Sequence, residues 1–340
     1  MNIAINGFGR IGRAFVRAAY EQGIEADIVA VNDLTNVETL AYLLKYDSVY
    51  GKAPFEVRAE DGVLVAGKWR MRVCAEKDPA ALPWRDMNID VVVESTGLFT
   101  EYEKAKAHLD AGARRVVISA PAKGDAGAAG VSGETILMGL NEEKFATCEI
   151  SSNASCTTNA SSPVIAILDE VIGIDKAILN TTHSYTASQA LVDAPNKKDM
   201  REGRAAALNM SPASTGAAKA VTQAYTKLAG KFDGIAVRVP TPAGSIADIT
   251  FIASRETSVE EVNAALKKAA ADPRWAGIFT VTEEPLVSHD IIGEPYGSIA
   301  DLGMTRVVGG NLVKVLAWYD NEMGYTHTLV RHALKAGAHV

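Results

Sequence analysis

The stretch "NIAINGFGRIG", residues 2–12, joins a short β-rich run to three glycines and then to a helical run that continues to about Glu21. Gly7, Gly9 and Gly12 form the spacing G-x-G-x-x-G. The pattern carries weight because a strand precedes it and a helix follows it. In that setting the first glycine makes the tight turn, the second lets a pyrophosphate approach the backbone, and the third lets helix and strand pack closely. The helix start then offers unpaired N–H groups and a partial positive charge to phosphate. "DIVAVN" (27–32) reads as the next strand, and Asp33 ends it, 21 residues after Gly12. A carboxylate there suits the 2′-hydroxyl of an adenosine ribose, which makes NAD the implied cofactor.

Outward from this motif, "VETLAYLLKYD" (37–47) and "EYEKAKAHLDAG" (101–112) have helical spacing, while "DVVVEST" (90–96) and "RVVISA" (115–120) are continuous apolar strands. Such strands alternating with helices predict a buried parallel sheet. The Gly/Ala-rich segment 123–134 reads as a flexible surface loop. After residue 155 the texture changes. A helical run at 157–173 leads into a long irregular stretch, 182–206. Strand-like runs follow at 234–239, 245–253, 277–281 and 312–320, with a patterned helix at 258–272 and a last helix from about Gly324 to Ala336. The fold class is α/β, with a second, α+β domain on a largely antiparallel sheet.

The 340 residues suffice for roughly two domains of about 150 residues. A net charge of −7 gives no support for nucleic-acid binding. No apolar run approaches the roughly 20 residues of a membrane span, and the N-terminus lacks the features of a secretion signal. Three cysteines without a CxxC pair argue against a disulfide framework or a zinc cluster, so no metal site is assigned and a reducing cytoplasm is the expected compartment.

One of the three cysteines keeps unusual company. Cys156 lies in "SSNASCTTNA" (151–160), among hydroxyl and amide side chains at the start of a helical run. A helix N-terminus favours a thiolate and lowers a thiol pKa. Ser155, Thr157 and nearby N–H groups can donate to an oxyanion or a phosphate. Local sequence leaves two readings open, a nucleophile or an incidental cysteine beside an N-cap. Cys74 and Cys148 read as strand positions and as structural. His183, in "TTHSYT", is a candidate proton acceptor for a thiol. Arg238 interrupts an apolar strand, as an ion-pair partner or an anion ligand. "STGAAKA" (214–220) opens a helical run, as a phosphate seat or a plain N-cap.

The ordered set "INGFGRIGR", "NDLTN", "LLKYDSVYG", "VVVESTGLFT", "ISAPAK", "SNASCTTN", "HSYT", "GRAAALN", "STGAAKA", "IAVRVPTP", "EEPLVS" and "WYDNEMGY" spans nearly the whole chain. With it the chain resembles the phosphorylating glyceraldehyde-3-phosphate dehydrogenase family. The resemblance implies a Rossmann-type NAD-binding domain at 1–154, a catalytic domain at 155–320 with an S-shaped loop at about 182–206, and a C-terminal helix at 321–340 returning to the first domain. It implies Cys156 as nucleophile and His183 as base. It implies NAD contacts from Asn6, Gly7, Gly9, Arg10, Ile11, Asp33, Lys77, Ser119, Asn321 and Tyr325. Thr186 and Arg238 match the substrate-phosphate site, and Ser155, Thr157, Thr215 and Gly216 the site for attacking phosphate. Glyceraldehyde 3-phosphate and inorganic phosphate are the implied partners, and a homotetramer the implied assembly.

Several positions depart from the family pattern. Ala160 stands where a second cysteine is usual. Ala187 and Ser188 replace Asn-Asp. Glu202 falls at a phosphate-binding arginine, where a carboxylate repels an anion, with Arg201 or Arg204 as substitutes. Ala194 replaces a leucine near the ribose and relaxes selection against NADP, whereas Asp33 opposes a 2′-phosphate by charge. Erythrose-4-phosphate dehydrogenase and a non-catalytic binding protein are the competing readings.

Overall fold

A computed structural model describes residues 1–197 and 199–340; Lys198, within the expected S-shaped loop, lies outside the described residues. The chain forms two units. The first comprises residues 1–137, 141–154 and 326–340, and the second 138–140 and 155–325.

In the first unit β1 (Asn2–Asn6) runs into α1 (Arg10–Glu21), and β2 (Asp27–Asn32) into α2 (Val37–Lys45). A small hairpin, β3 (Tyr46–Asp47) and β4 (Gly51–Lys52), follows. Then come β5 (Val57–Glu60), β6 (Val63–Ala66), β7 (Trp69–Cys74), β8 (Val91–Glu94), α3 (Tyr102–Asp110), β9 (Arg115–Ile118), β10 (Gly133–Thr135) and β11 (Ile150–Ser152). The main sheet has the order β10-β11-β9-β8-β1-β2-β7-β6-β5. Strands β10 to β7 pair in parallel, and the β7-β6-β5 edge is antiparallel. The parallel centre follows from composition. Ile3, Ile5, Val91, Val92, Val93, Val116 and Val117 are fully buried, as strands covered on both faces require.

In the second unit α4 (Cys156–Val171) leads to β12 (Ile174–Ser184), β13 (Ser211–Ser214), α5 (Ala217–Ala224), β14 (Phe232–Val239), β15 (Ser245–Ala253), α6 (Val259–Ala270), β16 (Phe279–Thr282), β17 (Ser298–Val308) and β18 (Leu312–Tyr319). The sheet order is β13-β14-β12-β15-β18-β17-β16. It is largely antiparallel; β12 with β14 and β16 with β17 are the parallel pairs. A last helix, α7 (Met323–Gly337), ends the chain, and its residues from Thr326 onward belong to the first unit.

Four expectations change. Thr182 to Ser184 are not irregular but complete β12, an eleven-residue strand. Its inward residues Leu179, Thr181 and His183 are mostly polar, while Ile178 faces outward, so hydrophobic alternation does not mark it. Cys148 is not in a strand; it sits buried in the turn before β11, with its Sγ donating to the Ile150 carbonyl at 3.2 Å. The segment 123–134 is not unstructured throughout. Its turns are braced by Asp125, which accepts from the Ala128 N–H at 3.0 Å, and its end enters β10. The C-terminal segment, expected to change domain at 321, joins the first unit only at Thr326. Asp320 and Asn321 are held within the second, where Gly293 N–H donates to Asp320 Oδ2 at 2.8 Å and Ser184 Oγ to Asn321 Oδ1 at 2.7 Å.

The ends of β1 and β8 carry a buried polar chain under the glycine turn. Asn32 Nδ2 donates to Asn6 Oδ1 at 2.7 Å, and Asn6 Nδ2 to Glu94 Oε2 at 2.5 Å. The same Glu94 oxygen meets His108 Nε2 at 3.1 Å, and Trp84 Nε1–H donates to His108 Nδ1 at 3.0 Å. Glu94 Oε1 accepts from the Thr96 N–H at 2.8 Å and from its hydroxyl at 2.5 Å. Removing this carboxylate strands several donors in a site without water access. Glu94→Ala is therefore expected to cost about 3 kcal/mol or more, read as a lower midpoint in chemical denaturation. A change within about 0.5 kcal/mol would show that the chain closes over the gap without loss.

Candidate active site

In the first unit the glycine turn is shaped by contacts only glycine permits. Gly7 has φ +91°, and a Cβ on it would lie 2.6 Å from the Thr96 nitrogen. A Cβ on Gly12 would lie 2.3 Å from the Gly7 carbonyl oxygen. At Gly9 a Cβ would meet nothing within 4 Å, so this side of the turn is open to an approaching group. Gly9 is also the N-cap of α1, and no side chain caps it. The first-turn N–H groups thus keep their anion-binding geometry, with Ile11 among them. Asp33 closes the site from β2: its carboxylate accepts from the Phe8 N–H at 2.9 Å and the Thr35 N–H at 3.0 Å.

The remaining expected cofactor residues of this unit divide by position. Ser119 follows β9, with its N–H bonded to the Glu94 carbonyl at 2.9 Å. Lys77 is exposed beyond β7. Arg10 is tied to Asp47 by two bonds, at 2.8 and 3.3 Å, and lies over the Tyr50 ring. Asn6 is fully buried and both ends of its amide are bonded to protein. It props the turn from beneath and presents no group at the surface. These residues fit a dinucleotide: an open glycine turn, an uncapped helix start and a carboxylate at the ribose position.

In the second unit Ser155 is the N-cap of α4, its Oγ accepting from the Thr158 N–H at 3.1 Å. Cys156 is the first helical residue. His183 comes from β12, with Nε2 3.3 Å from Cys156 Sγ. On the other side of the ring the Ser184 carbonyl lies 2.7 Å from Nδ1. The carbonyl, an acceptor, favours a proton on Nδ1, whereas the Arg238 guanidinium, a donor, favours a bare Nδ1; with either tautomer Nε2 is the ring atom that faces the thiol. The pairing of β12 with β14 sets Arg238 directly beside His183 in register. Arg238 Nη1 lies 2.5 Å from Nδ1 and donates to the same Ser184 carbonyl at 3.3 Å. Arg238 Nε is buried without a partner, an orphan donor that a bound anion would satisfy.

The electrostatics depart from expectation at the nucleophile. A helix start was expected to lower the Cys156 pKa, but burial pushes the thiol up. The Arg238 charge, the Thr157 hydroxyl and N–H, and the Cys156 N–H pull it down by less. The resting group is the thiol, with donors in place for the anion that forms when it reacts. Burial and then the Arg238 charge push His183 down to about 3, so the imidazole rests neutral.

Tyr319 was not foreseen as a site residue. Its buried hydroxyl bridges Thr157 Oγ1 at 2.9 Å and Thr181 Oγ1 at 2.8 Å, and its ring meets His183 edge-on. The only sequence signal was its place two residues before Asn321. Thr215 and Gly216 lie at the start of α5, where Thr215 Oγ1 accepts from the Ala217 N–H at 3.2 Å. Thr158 Oγ1 reaches the Ala217 carbonyl at 3.5 Å, which places the starts of α4 and α5 side by side. Asn321 holds its Oδ1 to Ser184 and Ser245, leaving its amide protons without an acceptor among the described residues. Tyr325 is buried in the second turn beyond β18. Thr186 follows β12 and its hydroxyl bonds Ser188 at 3.1 Å.

One unit with an open glycine turn suited to a dinucleotide, and another that sets a half-buried thiol against a buried imidazole, are the parts of a dehydrogenase. Residues 1–102 match the family model described as "Glyceraldehyde 3-phosphate dehydrogenase, NAD binding domain", and residues 155–321 match "Glyceraldehyde 3-phosphate dehydrogenase, C-terminal domain". The chain is 48% identical to "Glyceraldehyde-3-phosphate dehydrogenase 1" of Streptomyces avermitilis, over 99% of this chain and 98% of that one. It is 49% identical to "Glyceraldehyde-3-phosphate dehydrogenase" of Mycobacterium tuberculosis, over 97% of this chain and 96% of the relative. The chain belongs to the glyceraldehyde-3-phosphate dehydrogenase family.

A second buried histidine offers a test of the electrostatics. His332 in α7 meets Ser151 Oγ at 2.7 Å and Asn153 Oδ1 at 3.2 Å, and burial pushes its pKa down to about 3. With the folded value depressed, the unfolded chain takes up a proton from about pH 6.5 downward while the folded chain does not until about pH 3. The contribution is complete above that window and is lost as pH falls through it, by up to about 1.4 kcal/mol per pH unit. His332→Gln should flatten the fall in denaturation free energy between pH 6.5 and pH 4.5 by about that slope. An unchanged slope would mean that folded His332 titrates normally.

Proposed function

We propose that the protein oxidises glyceraldehyde 3-phosphate to 1,3-bisphosphoglycerate with NAD and inorganic phosphate, through a thioester on Cys156. The observation that carries this reading is the 3.3 Å approach of His183 Nε2 to Cys156 Sγ, at a helix start lined with anion donors. Sγ attacks the aldehyde carbon as its proton passes to Nε2. The N–H groups of Cys156 and Thr157 hold the developing oxyanion. The imidazolium returns that proton to the oxyanion, giving the thiohemiacetal, and neutral His183 takes it back from the hydroxyl as hydride leaves the carbon. A bound nicotinamide dinucleotide supplies the hydride acceptor. Inorganic phosphate, held by Ser155, Thr157, Thr215 and Gly216, attacks the thioester carbon; the C–S bond breaks, the acyl phosphate leaves and the thiol is restored.

Thr186 and Arg238 hold the substrate phosphate. The orphan Arg238 Nε supports this, and an anion there would offset the charge that depresses His183, making the base stronger when substrate is bound. Gly7, Gly9, Arg10, Ile11, Asp33, Lys77 and Ser119 serve the dinucleotide from the first unit, with Asn6 as their support. Asn321 and Tyr325 are proposed NAD contacts by their match to the family pattern. The Asp33 carboxylate favours NAD, since a 2′-phosphate would meet its charge.

A homotetramer is supported by the outer face of the second sheet. Ile178, Ile235, Leu312 and Val308 lie on one side of it by register, each more than a third exposed. Apolar residues in such a row suit a subunit interface. A cytoplasmic location is our reading, supported by the three free cysteines.

Phosphate-dependent NADH formation should be lost by roughly 10⁴-fold or more in Cys156→Ser while NAD binding persists; substantial residual turnover would remove Cys156 from the nucleophile's role. Arg238→Gln should raise KM for glyceraldehyde 3-phosphate by about 10- to 100-fold, the range for losing a charged hydrogen bond. A preference for erythrose 4-phosphate, or for NADP, in initial-rate assays would redirect the assignment.

A further inference from the structure

The S-shaped loop is cross-braced so that its two ends meet. Ala190 N–H donates to the Glu202 carbonyl at 2.9 Å, Ala194 N–H to the Gly203 carbonyl at 2.8 Å, and Asn196 Nδ2 to the Ser188 carbonyl at 3.3 Å. This folding brings Glu202 against Ser188, whose Oγ lies 3.4 Å from Glu202 Oε1. Ser188 Oγ in turn lies 3.1 Å from Thr186 Oγ1. A carboxylate can only accept, so the Ser188 proton points at Glu202. Ser188 then has lone pairs toward Thr186, and the Thr186 proton is drawn to them. A threonine hydroxyl has one proton; committed here, it leaves Thr186 facing an anion with lone pairs.

Among the described residues no cation is paired with Glu202 to cancel this. Arg204, a substitute considered from sequence, holds Asp193 instead, its Nε 3.0 Å from Oδ2. Arg201 is exposed, and its backbone N–H is bonded to Asp199.

We propose that Glu202, acting through Ser188 on the Thr186 hydroxyl, is a specificity-determining residue that weakens the hold on the substrate phosphate. The effect has two parts, charge repulsion and a hydroxyl turned from donor to acceptor. It rests on the reading that Thr186 meets the phosphate of the triose. The carboxylate therefore raises KM for a phosphorylated aldehyde and leaves an unphosphorylated one untouched.

The test compares glyceraldehyde 3-phosphate with D-glyceraldehyde in wild type, Glu202→Gln, Glu202→Asp and Ser188→Ala, each checked for an unchanged melting temperature. Glu202→Gln should lower KM for the phosphorylated aldehyde about fivefold, as expected for one nearby charge at a half-exposed site. Its kcat, and kcat/KM for D-glyceraldehyde, should stay within error. Glu202→Asp should behave as wild type. Ser188→Ala should give part of the gain, because it releases the Thr186 proton and keeps the charge. High salt should shrink the difference between wild type and Glu202→Gln. An unchanged or higher KM in Glu202→Gln overturns the proposal, and so does an equal change for both aldehydes, which marks a structural effect. If wild type favours neither aldehyde over the other, the reading of Thr186 fails first, and that result is distinct from a failure at Glu202.

Discussion

The second unit is organised by one contact, the meeting of a thiol at a helix start with an imidazole on the central strand. Cys156 reaches His183 only because Ser155 caps α4 at that residue and because β12 turns a polar face inward. The Ser184 carbonyl and Arg238 both meet the ring at Nδ1, which leaves Nε2 toward the thiol, and Arg238, beside the ring in register, adds a fixed charge. Each element has a local reason to be where it is. Together they leave a neutral imidazole facing a neutral thiol at 3.3 Å.

That arrangement accounts for the polarity of β12, which departs from that of its neighbours β15 and β18. A strand with one face in the core normally alternates apolar-in and polar-out. In β12 the inner positions include Thr181 and His183, and Ile178 is outside. Thr181 and Thr157 are tolerated inside because Tyr319 bonds both hydroxyls. A buried polar network of this kind is costly unless its members are paired, and here they are. The apolar residues displaced to the outer face are the ones that suit a subunit interface. The proposed chemistry and the proposed interface would then lie on opposite sides of the same strand.

This reversal also accounts for what the sequence left hidden. In the first unit glycines, β-branched runs and helix spacing all agree, so "NIAINGFGRIG" and Asp33 were legible residue by residue. Their roles come from backbone requirements that few residues meet. Cys156 was visible as an oddity but not as a nucleophile, because local spacing contains no information about β12. Resemblance supplied the link to His183, and strand pairing supplies its cause. The direction of the Cys156 shift was misread, since the pull of a helix start is seen in sequence while burial is not. Asn6 was taken as a contact when it is a support, for the same reason. Tyr319 and Glu94 fall inside quoted motifs, but their roles could not be read there, because Tyr319 bonds Thr157 and Glu94 bonds Asn6, each more than 80 residues away.

The departures from the family pattern are informative only in pairs. Ser188 alone removes a charge and Glu202 alone adds the wrong one, yet the loop places one against the other. A serine beside a carboxylate is a satisfied donor, so the pair is locally stable. The cost appears one hydrogen bond further on, at Thr186, where the relay fixes which way a hydroxyl points. In the proposed mechanism Cys156 and His183 leave less room for such drift, because their proton transfer depends on the 3.3 Å approach of Sγ to Nε2. Variation is therefore easiest where a side chain acts through charge at a distance, and hardest where geometry assigns the proton.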